Sequence, residues 1–477
     1  MPIGTDEELA RLSSKELIAI IRRLEARIAG QDRRIAALEE EQREAKRAKA
    51  PFSKGTRKAS PKRPGRKPGQ GLFKHREAPT AGPCDQVVSI EVALPEDLRL
   101  CPGCGVALST THEIATIEDM PAVPKRVIKR FTVAVGRCPQ CGWVCRGEHP
   151  ELGPQQNGAT AHQVGPQVKA QALALHYLSG LPLCKVPGVI QQTTGIRIGQ
   201  SALTQLACTL SGEGGRLQPT YTGLREQVGR SPVVNTDDTG WRINATLAFV
   251  MGFFTTDTAY YQIRFRHRHQ EVLEVLPIQG KGKKRLIGTD RGKSYEASVF
   301  NGEEMQKCLS HLLKNLSQVE ETKTGRAKHF TTRLKTLLRE GLDLWHQYQS
   351  KEISLLAYRR RGKKLQSAIN EHLRDRKLSD RDNQRLLDGI GQQEDQGRVT
   401  LFLRRPEIEP TNNRAERGLR PAVIARKVSH CSKNERGALA YATLKSIFVT
   451  LSYRTKSAAR AFANLLRGQD LAAACDF

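Results

Sequence analysis

The chain has 477 residues, enough for two or three domains that each bury a core of their own. Its formal charge of +28 excludes an acidic, solvating protein and favours a polyanionic partner, because each phosphate neutralised by a cation releases counterions. No apolar run approaches the roughly 20 residues of a membrane span, and the acidic stretch after Met1 is unlike a signal peptide, so a cytosolic protein without membrane contact is expected. The eleven cysteines are then metal ligands or buried thiols rather than disulfides.

Residues 1–45 predict a zipper-like coiled coil. Leu17, Ile21, Leu24, Ile28, Ile35 and Leu38 fall on the a and d positions of a heptad with charges on the flanks, although Gly30 weakens the helix. A lone amphipathic helix is the alternative. Residues 46–80 carry many lysines and arginines among Pro, Gly and Ser, with too little apolar surface to fold alone, and read as a flexible basic linker. Within it Arg63, Arg66 and Lys67 are candidate DNA contacts, to phosphates or inserted in a minor groove.

Residues 81–153 hold two matching knuckles, Cys101-Pro-Gly-Cys104-Gly and Cys138-Pro-Gln-Cys141-Gly. Cys101, Cys104, Cys138 and Cys141 suit tetrahedral coordination of one structural Zn2+, and the doubling argues against a redox dithiol. Residues 158–230 turn helical. The order of a helix, a Thr-Thr-Gly turn and a second helix outlines a helix-turn-helix, and a plain helical packing unit fits equally well.

From 231 the pattern is mixed. The β-branched pair Val233-Val234 runs into Asp237 and Asp238 and then Thr239-Gly240, which reads as a buried strand ending at an acidic tip; Leu286-Ile287-Gly288-Thr289-Asp290 reads the same way. Strands over 247–255 and 259–264 form a meander, and 270–276 is a helix. Residues 301–405 read almost wholly as helix, with Leu334, Leu337, Leu338, Leu342 and Trp345 on one stripe. The run 437–466 is again helical and is expected to pack back on the sheet. The domains expected are thus an α/β core from 231–300 and 406–477 with an all-helical insertion over 301–405.

Phosphodiester chemistry needs two divalent cations about 3.5–4 Å apart, held by oxygen ligands. Asp237, Asp290 and Glu416 form a candidate acidic triad for two Mg2+ or Mn2+ ions. Taken singly, the aspartates could be turn residues, and Asn413 with Glu416 has the spacing of a helix cap and its partner.

These motifs together resemble the transposase of the IS-sixty-six family of bacterial insertion sequences, a DDE transposase with a ribonuclease-H-like core. The resemblance runs over nearly the whole length. It rests on the zipper-like start, the Gly-Arg-Lys-Pro-Gly linker, the paired knuckles, the Asp-x-Thr-Gly-Trp-Arg segment, Cys308-x-x-His311, and Asn412-Asn413-x-x-Glu416-Arg417-x-x-Arg420-Pro421 followed by Arg426-Lys427. It implies that Asp237, Asp290 and Glu416 are the three catalytic acids, and that Asn413, Arg417, Arg420, Arg426 and Lys427 meet DNA. Cys308 and His311 are implied to lie near the site. The implied partners are double-stranded DNA, both element ends and target, a second copy or more of this chain on that DNA, and accessory proteins. Asp238 and Thr411 depart from the family's usual Glu and Asp, and neither alters the triad. A DNA-binding regulator without catalysis and a nuclease that hydrolyses without joining remain the alternatives.

The paired knuckles generate a first expectation. A fragment of residues 81–153 should fold around one equivalent of zinc, because so short a module lacks an adequate core. Metal analysis checks this; less than half an equivalent in well-folded fragment refutes it.

Overall fold

The computed structural model describes residues 13–48, 127–146, 149, 151, 164–278, 284–290, 293–374, 377–429 and 431–476. Arg63, Arg66, Lys67, Cys101 and Cys104 lie outside the described residues. The chain forms two compact units, 1–122 and 123–477.

In the first unit, helix α1 spans Ser14–Ala48. It starts at a reciprocal cap, in which the Ser13 backbone N–H donates to Glu16 Oε2 at 2.8 Å and the Glu16 N–H points back at Ser13 Oγ at 3.4 Å. Ile21, Ile28 and Ile35 are each more than half exposed, at 54%, 55% and 54%, so the heptad seam lies open along the helix.

The second unit begins with a small hairpin, β1 (Val135–Arg137) and β2 (Val144–Arg146), followed by helices α2 (Pro166–Tyr177), α3 (Val186–Thr194), α4 (Gln200–Ser211) and α5 (Gln218–Arg230). Then come β3 (Val233–Ile243), β4 (Thr246–Phe254), β5 (Ala259–Arg264), the short helix α6 (His269–Leu273), β6 (Leu286–Thr289) and β7 (Glu304–Lys307). The sheet order is β5-β4-β3-β6-β7, with β3, β4 and β5 antiparallel and β3, β6 and β7 parallel. This mixed order is compatible with a ribonuclease-H-like core.

Two expectations need correction. Strand β3 does not stop at Asp237, because Thr239 and Gly240 pair with Val250 and Phe249 instead of turning. The antiparallel ladder with β4 carries the strand six residues further, to Ile243. The stretch after 301 is also not all helix: Glu304–Lys307 is an edge strand of the sheet, too short and too polar to show alternation.

Beyond β7 lie α7 (Leu309–Glu321), α8 (His329–Gln349), α9 (Leu355–His372), α10 (Arg381–Asp395) and the single turn α11 (Leu401–Arg404). They bury a core of their own around Leu312, Leu334, Leu338, Tyr358, Ile369 and Phe402, which extends to Leu286 of β6. The chain returns through α12 (Asn413–Ser429) and ends with α13 (Glu435–Arg454) and α14 (Ala458–Leu466). The helical region before the sheet is part of the same body: Leu173, Leu210, Tyr221 and Leu224 join the main core with Val250, Phe253 and Ile447.

Helix α13 seals the open edge of β5. The backbone N–H groups of Ala259 and Tyr261 donate to the hydroxyls of Thr450 and Ser446 at 3.0 and 2.8 Å, so side chains satisfy donors that a neighbouring strand would otherwise take.

The β3–β4 hairpin turns through Asn244 and Ala245, both with positive φ, 46° and 65°. Such a two-residue turn favours Gly at its second position, and Ala there is strained. Ala245→Gly should therefore stabilise the fold by about 0.5–1 kcal/mol, read as a higher urea midpoint at unchanged slope.

Candidate active site

The parallel pair β3–β6 sets the first two carboxylates. Val233 pairs with Leu286, Val234 with Ile287 and Asn235 with Gly288. Side chains alternate along a strand, so continuing this register to the next residue on the same face brings Asp237 opposite Asp290, just past the end of the shared ladder. Burial is the main reason that the Asp237 carboxyl is pushed up to about 7; the charge of Asp290 adds to it, as do Asp238 and Glu416. The other two acids of the candidate triad thus both act electrostatically on Asp237.

Glu416 arrives on α12, which must cross the sheet closely to reach them. An alanine Cβ at Gly418 would lie 2.3 Å from the Phe254 ring, so only glycine permits this approach. The Tyr261 hydroxyl donates to the Gly418 carbonyl at 2.7 Å. Arg414 donates to Glu409 through Nη2 at 2.7 Å and to the Thr255 carbonyl at 3.0 Å, tying the helix start to the β4–β5 turn. Asn412, just before the helix, is buried: its Nδ2 donates to the Thr236 carbonyl at 2.9 Å and its Oδ1 accepts from Asn235 Nδ2 at 3.3 Å. Its own amide donates to Cys308 Sγ at 3.2 Å. The helix therefore begins after Asn412, with Asn413 inside its first turn.

Asn413, Glu416, Arg417 and Arg420 line one cleft with Asp237, Asp238 and Thr239, of about 370 Å³. Arg417 and Arg420 are exposed. Arg426 is turned to another task, since its guanidinium donates to Thr239 Oγ1 at 3.3 Å and to the Gly240 carbonyl, bracing β3. Lys427 is exposed on the last turn of α12.

Cys308 and His311, at the start of α7, stand beside the third acid. Cys308 Sγ is 3.8 Å and His311 Nδ1 3.6 Å from Glu416 Oε1. Lys307, on β7 and 1% exposed, donates through Nζ to the Asp290 carbonyl at 3.1 Å. His267 Nδ1 lies 3.2 Å from Asp238 Oδ2, and its ring stacks on Phe249 at 3.8 Å between centroids. Phe265, Arg266, Arg268 and His269 complete a second cleft of about 500 Å³ next to that pair. Sequence reading passed over both Lys307 and this cleft. The run Arg264-Phe265-Arg266-His267-Arg268-His269, basic with an aromatic interleaved, was the available signal.

The donor set fits hard divalent cations: three carboxylates, oxygen only, crowded enough that one resists ionisation. Asp237, Asp290 and Glu416 would hold them. At the second of the two knuckles, Gly142 adopts φ +74° and closes the turn from Cys138 to Cys141. The Cys138 amide donates to the Trp143 carbonyl at 2.8 Å. Backbone N–H groups of Cys141 and then Gln140 hold the Cys138 thiol below its ordinary pKa, which fits a thiolate ligand.

The raised Asp237 carboxyl has a definite sign. The folded chain holds this proton more tightly than the unfolded one, so without metal its contribution to stability falls as pH rises from 3.8 to about 7 and is flat above. Asp237→Asn should remove that slope. In EDTA at pH 8 it should melt above the unsubstituted protein, and Mg2+ should raise the melting temperature of the unsubstituted protein at pH 8 but hardly at pH 5. Paired thermal melts across pH check this, and parallel curves for the two proteins refute it.

No curated protein matches the chain. A family model described as transposase IS66 family matches residues 161–440, from just before α2 into α13 and across all three carboxylates. With more than half of the chain under that match, and the acidic cleft inside it, the protein belongs to the IS66 family of transposases.

Proposed function

We propose that the protein is a DDE transposase that cuts DNA at the ends of an insertion sequence and joins those ends to a target, using Asp237, Asp290 and Glu416. The observation that carries the reading is the strand register that brings Asp237 opposite Asp290, with Glu416 facing the same cleft. Two Mg2+ or Mn2+ ions on these carboxylates would activate the attacking oxygen and stabilise the leaving one.

The chain's own residues do the rest. Asp237 must lose its proton to serve as a ligand, and cation binding favours that loss. Arg417 and Arg420, one helical turn apart beside Glu416, present two guanidinium groups that suit a phosphate. Asn413 adds an amide donor to the same cleft. The buried Asn235–Asn412 pair fixes the start of α12, so Glu416 is held rather than left to find its position.

DNA is gripped mainly elsewhere, by the basic linker with Arg63, Arg66 and Lys67 and by the zinc module of Cys101, Cys104, Cys138 and Cys141. The α3–α4 pair adds a helix whose exposed Gln200, Ser201, Thr204 and Gln205 suit base edges. The open seam of Ile21, Ile28 and Ile35 pairs α1 with a second copy, so that two chains hold two ends.

Asp237→Ala, Asp290→Ala and Glu416→Ala should each lower metal-dependent cleavage and strand transfer on the order of a thousandfold or more, while DNA binding at moderate salt stays within a few-fold. Cleavage and binding are measured on the same preparations with end DNA. Any variant that keeps near-normal strand transfer removes that residue from the triad, and cleavage without joining by the unsubstituted protein marks a nuclease.

A further inference from the structure

The Cys308–His311–Glu416 cluster has a chemistry that the carboxylate triad does not need. A hard Mg2+ site is built from oxygens, whereas a thiol, an imidazole and a carboxylate are the mixed donors of a zinc site. Tetrahedral zinc, with sulfur at about 2.3 Å and nitrogen and oxygen at about 2.0–2.2 Å, has ligand-to-ligand edges of roughly 3.3–3.7 Å. The His311–Glu416 edge is 3.6 Å and the Cys308–Glu416 edge 3.8 Å, and all three donor atoms lie within 4.8 Å of one another. His311 Nδ1 is shut off from solvent and makes no hydrogen bond, although the rest of its side chain is 44% exposed. A buried ring nitrogen left in that condition is costly unless something takes its lone pair. Cys308 is 2% exposed, and its sulfur accepts the Asn412 amide, as zinc-bound thiolates do.

We propose that Cys308, His311 and Glu416 bind one Zn2+, and that this ion takes the Glu416 oxygen that the catalytic cations would need and so switches the active site off. On binding, the Cys308 thiol releases its proton to solvent, sulfur, Nδ1 and one Glu416 oxygen each donate a lone pair, and water completes the fourth position. The site is separate from the module of Cys101, Cys104, Cys138 and Cys141. Its inhibitory effect rests on the catalytic reading of Glu416; its metal affinity does not.

The test uses the full chain, stripped of metal and titrated with Co2+ as the probe. The spectrum of the unsubstituted protein minus that of Cys308→Ser should show a thiolate-to-cobalt charge-transfer band and tetrahedral ligand-field bands whose final amplitude corresponds to one bound cobalt beyond what Cys308→Ser takes up. His311→Gln, at a half-exposed position that leaves the Cys308–Asn412 contact alone, should weaken that component by at least about a hundredfold, as should Glu416→Gln. No difference spectrum, or normal cobalt affinity in His311→Gln, overturns the site. In Mg2+-dependent cleavage of end DNA, Zn2+ should inhibit the unsubstituted protein at concentrations at least about tenfold below those needed for His311→Gln. Equal inhibition of the two overturns the switch. If Asp237→Ala keeps full cleavage, the catalytic reading fails while the cobalt spectra still decide the site, so the two failures are distinguishable.

Discussion

One buried amide, Asn412, joins the three parts of the molecule that make the site. Its side chain grips the backbone of β3 at Thr236 and the side chain of Asn235, and its own N–H reaches the sulfur at the start of the helical insertion. Away from water, each of these polar atoms would cost free energy if left alone, so the pairing is strict about where α12 begins. Glu416 stands one helical turn later, and its amide donates to the Asn412 carbonyl at 3.0 Å. The position of the third acid is therefore inherited from a hydrogen bond to the central strand. Gly288 belongs to the same arrangement, because a Cβ there would come 2.4 Å from Asn235 Nδ2.

Around that joint the sheet is closed in two different ways. The β5 edge is sealed by Ser446 and Thr450, and the same helix carries Lys445, whose buried ammonium donates to the Tyr177 carbonyl at 2.7 Å. Burial pulls that lysine down to about 8. At the other end of β3, Trp241 is buried against Tyr441 and donates to Ser432 Oγ at 3.1 Å, so the segment after α12 is pinned beside the hairpin. The sheet, α12 and α13 form a frame around Asp237, whose carboxyl burial and neighbouring negative charge keep from ionising easily, as is common where a rigid scaffold carries a functional site.

Much of this was legible in the chain, for reasons that particular residues make plain. The meander of β4 and β5 showed because Val250, Met251, Phe253 and Phe254 form an apolar run bounded by polar turns, and α13 showed because its length and apolar content leave no other reading. The extent of β3 did not show, since Thr239-Gly240 is turn chemistry locally and only the partner strand β4 makes it extended. Strand β7 was silent because Glu-Met-Gln-Lys has no pattern, and it is a strand only through β6. The motif holding Cys308 and His311 was visible, but their partner Glu416 lies 108 positions beyond Cys308, a juxtaposition that only the fold creates. The match to the IS66 family and the register of Asp237 against Asp290 point the same way, yet although Asn412 stands in the motif, its pairing with Asn235, 177 positions earlier, is made only by the fold.

The helical insertion begins and ends at one spot. The Leu309 amide donates to the Pro410 carbonyl at 3.0 Å, and Cys308 meets Asn412, so some hundred residues leave and rejoin the sheet through a gap of a single hydrogen bond. Closing a longer or shorter excursion across such a gap changes loop entropy only slowly with length. Length is thus cheap for this appendage. Footprint is not, because its core continues onto Leu286 and Val233, on the same face of the sheet as the two aspartates. The appendage is in effect hung from one margin of the sheet: helices away from that margin are free to grow, shrink or be exchanged, while the apolar patch on β6 and the hydrogen bonds that join Gln306 and Lys307 of β7 to Arg398, Val399 and Phe402 fix where it must sit.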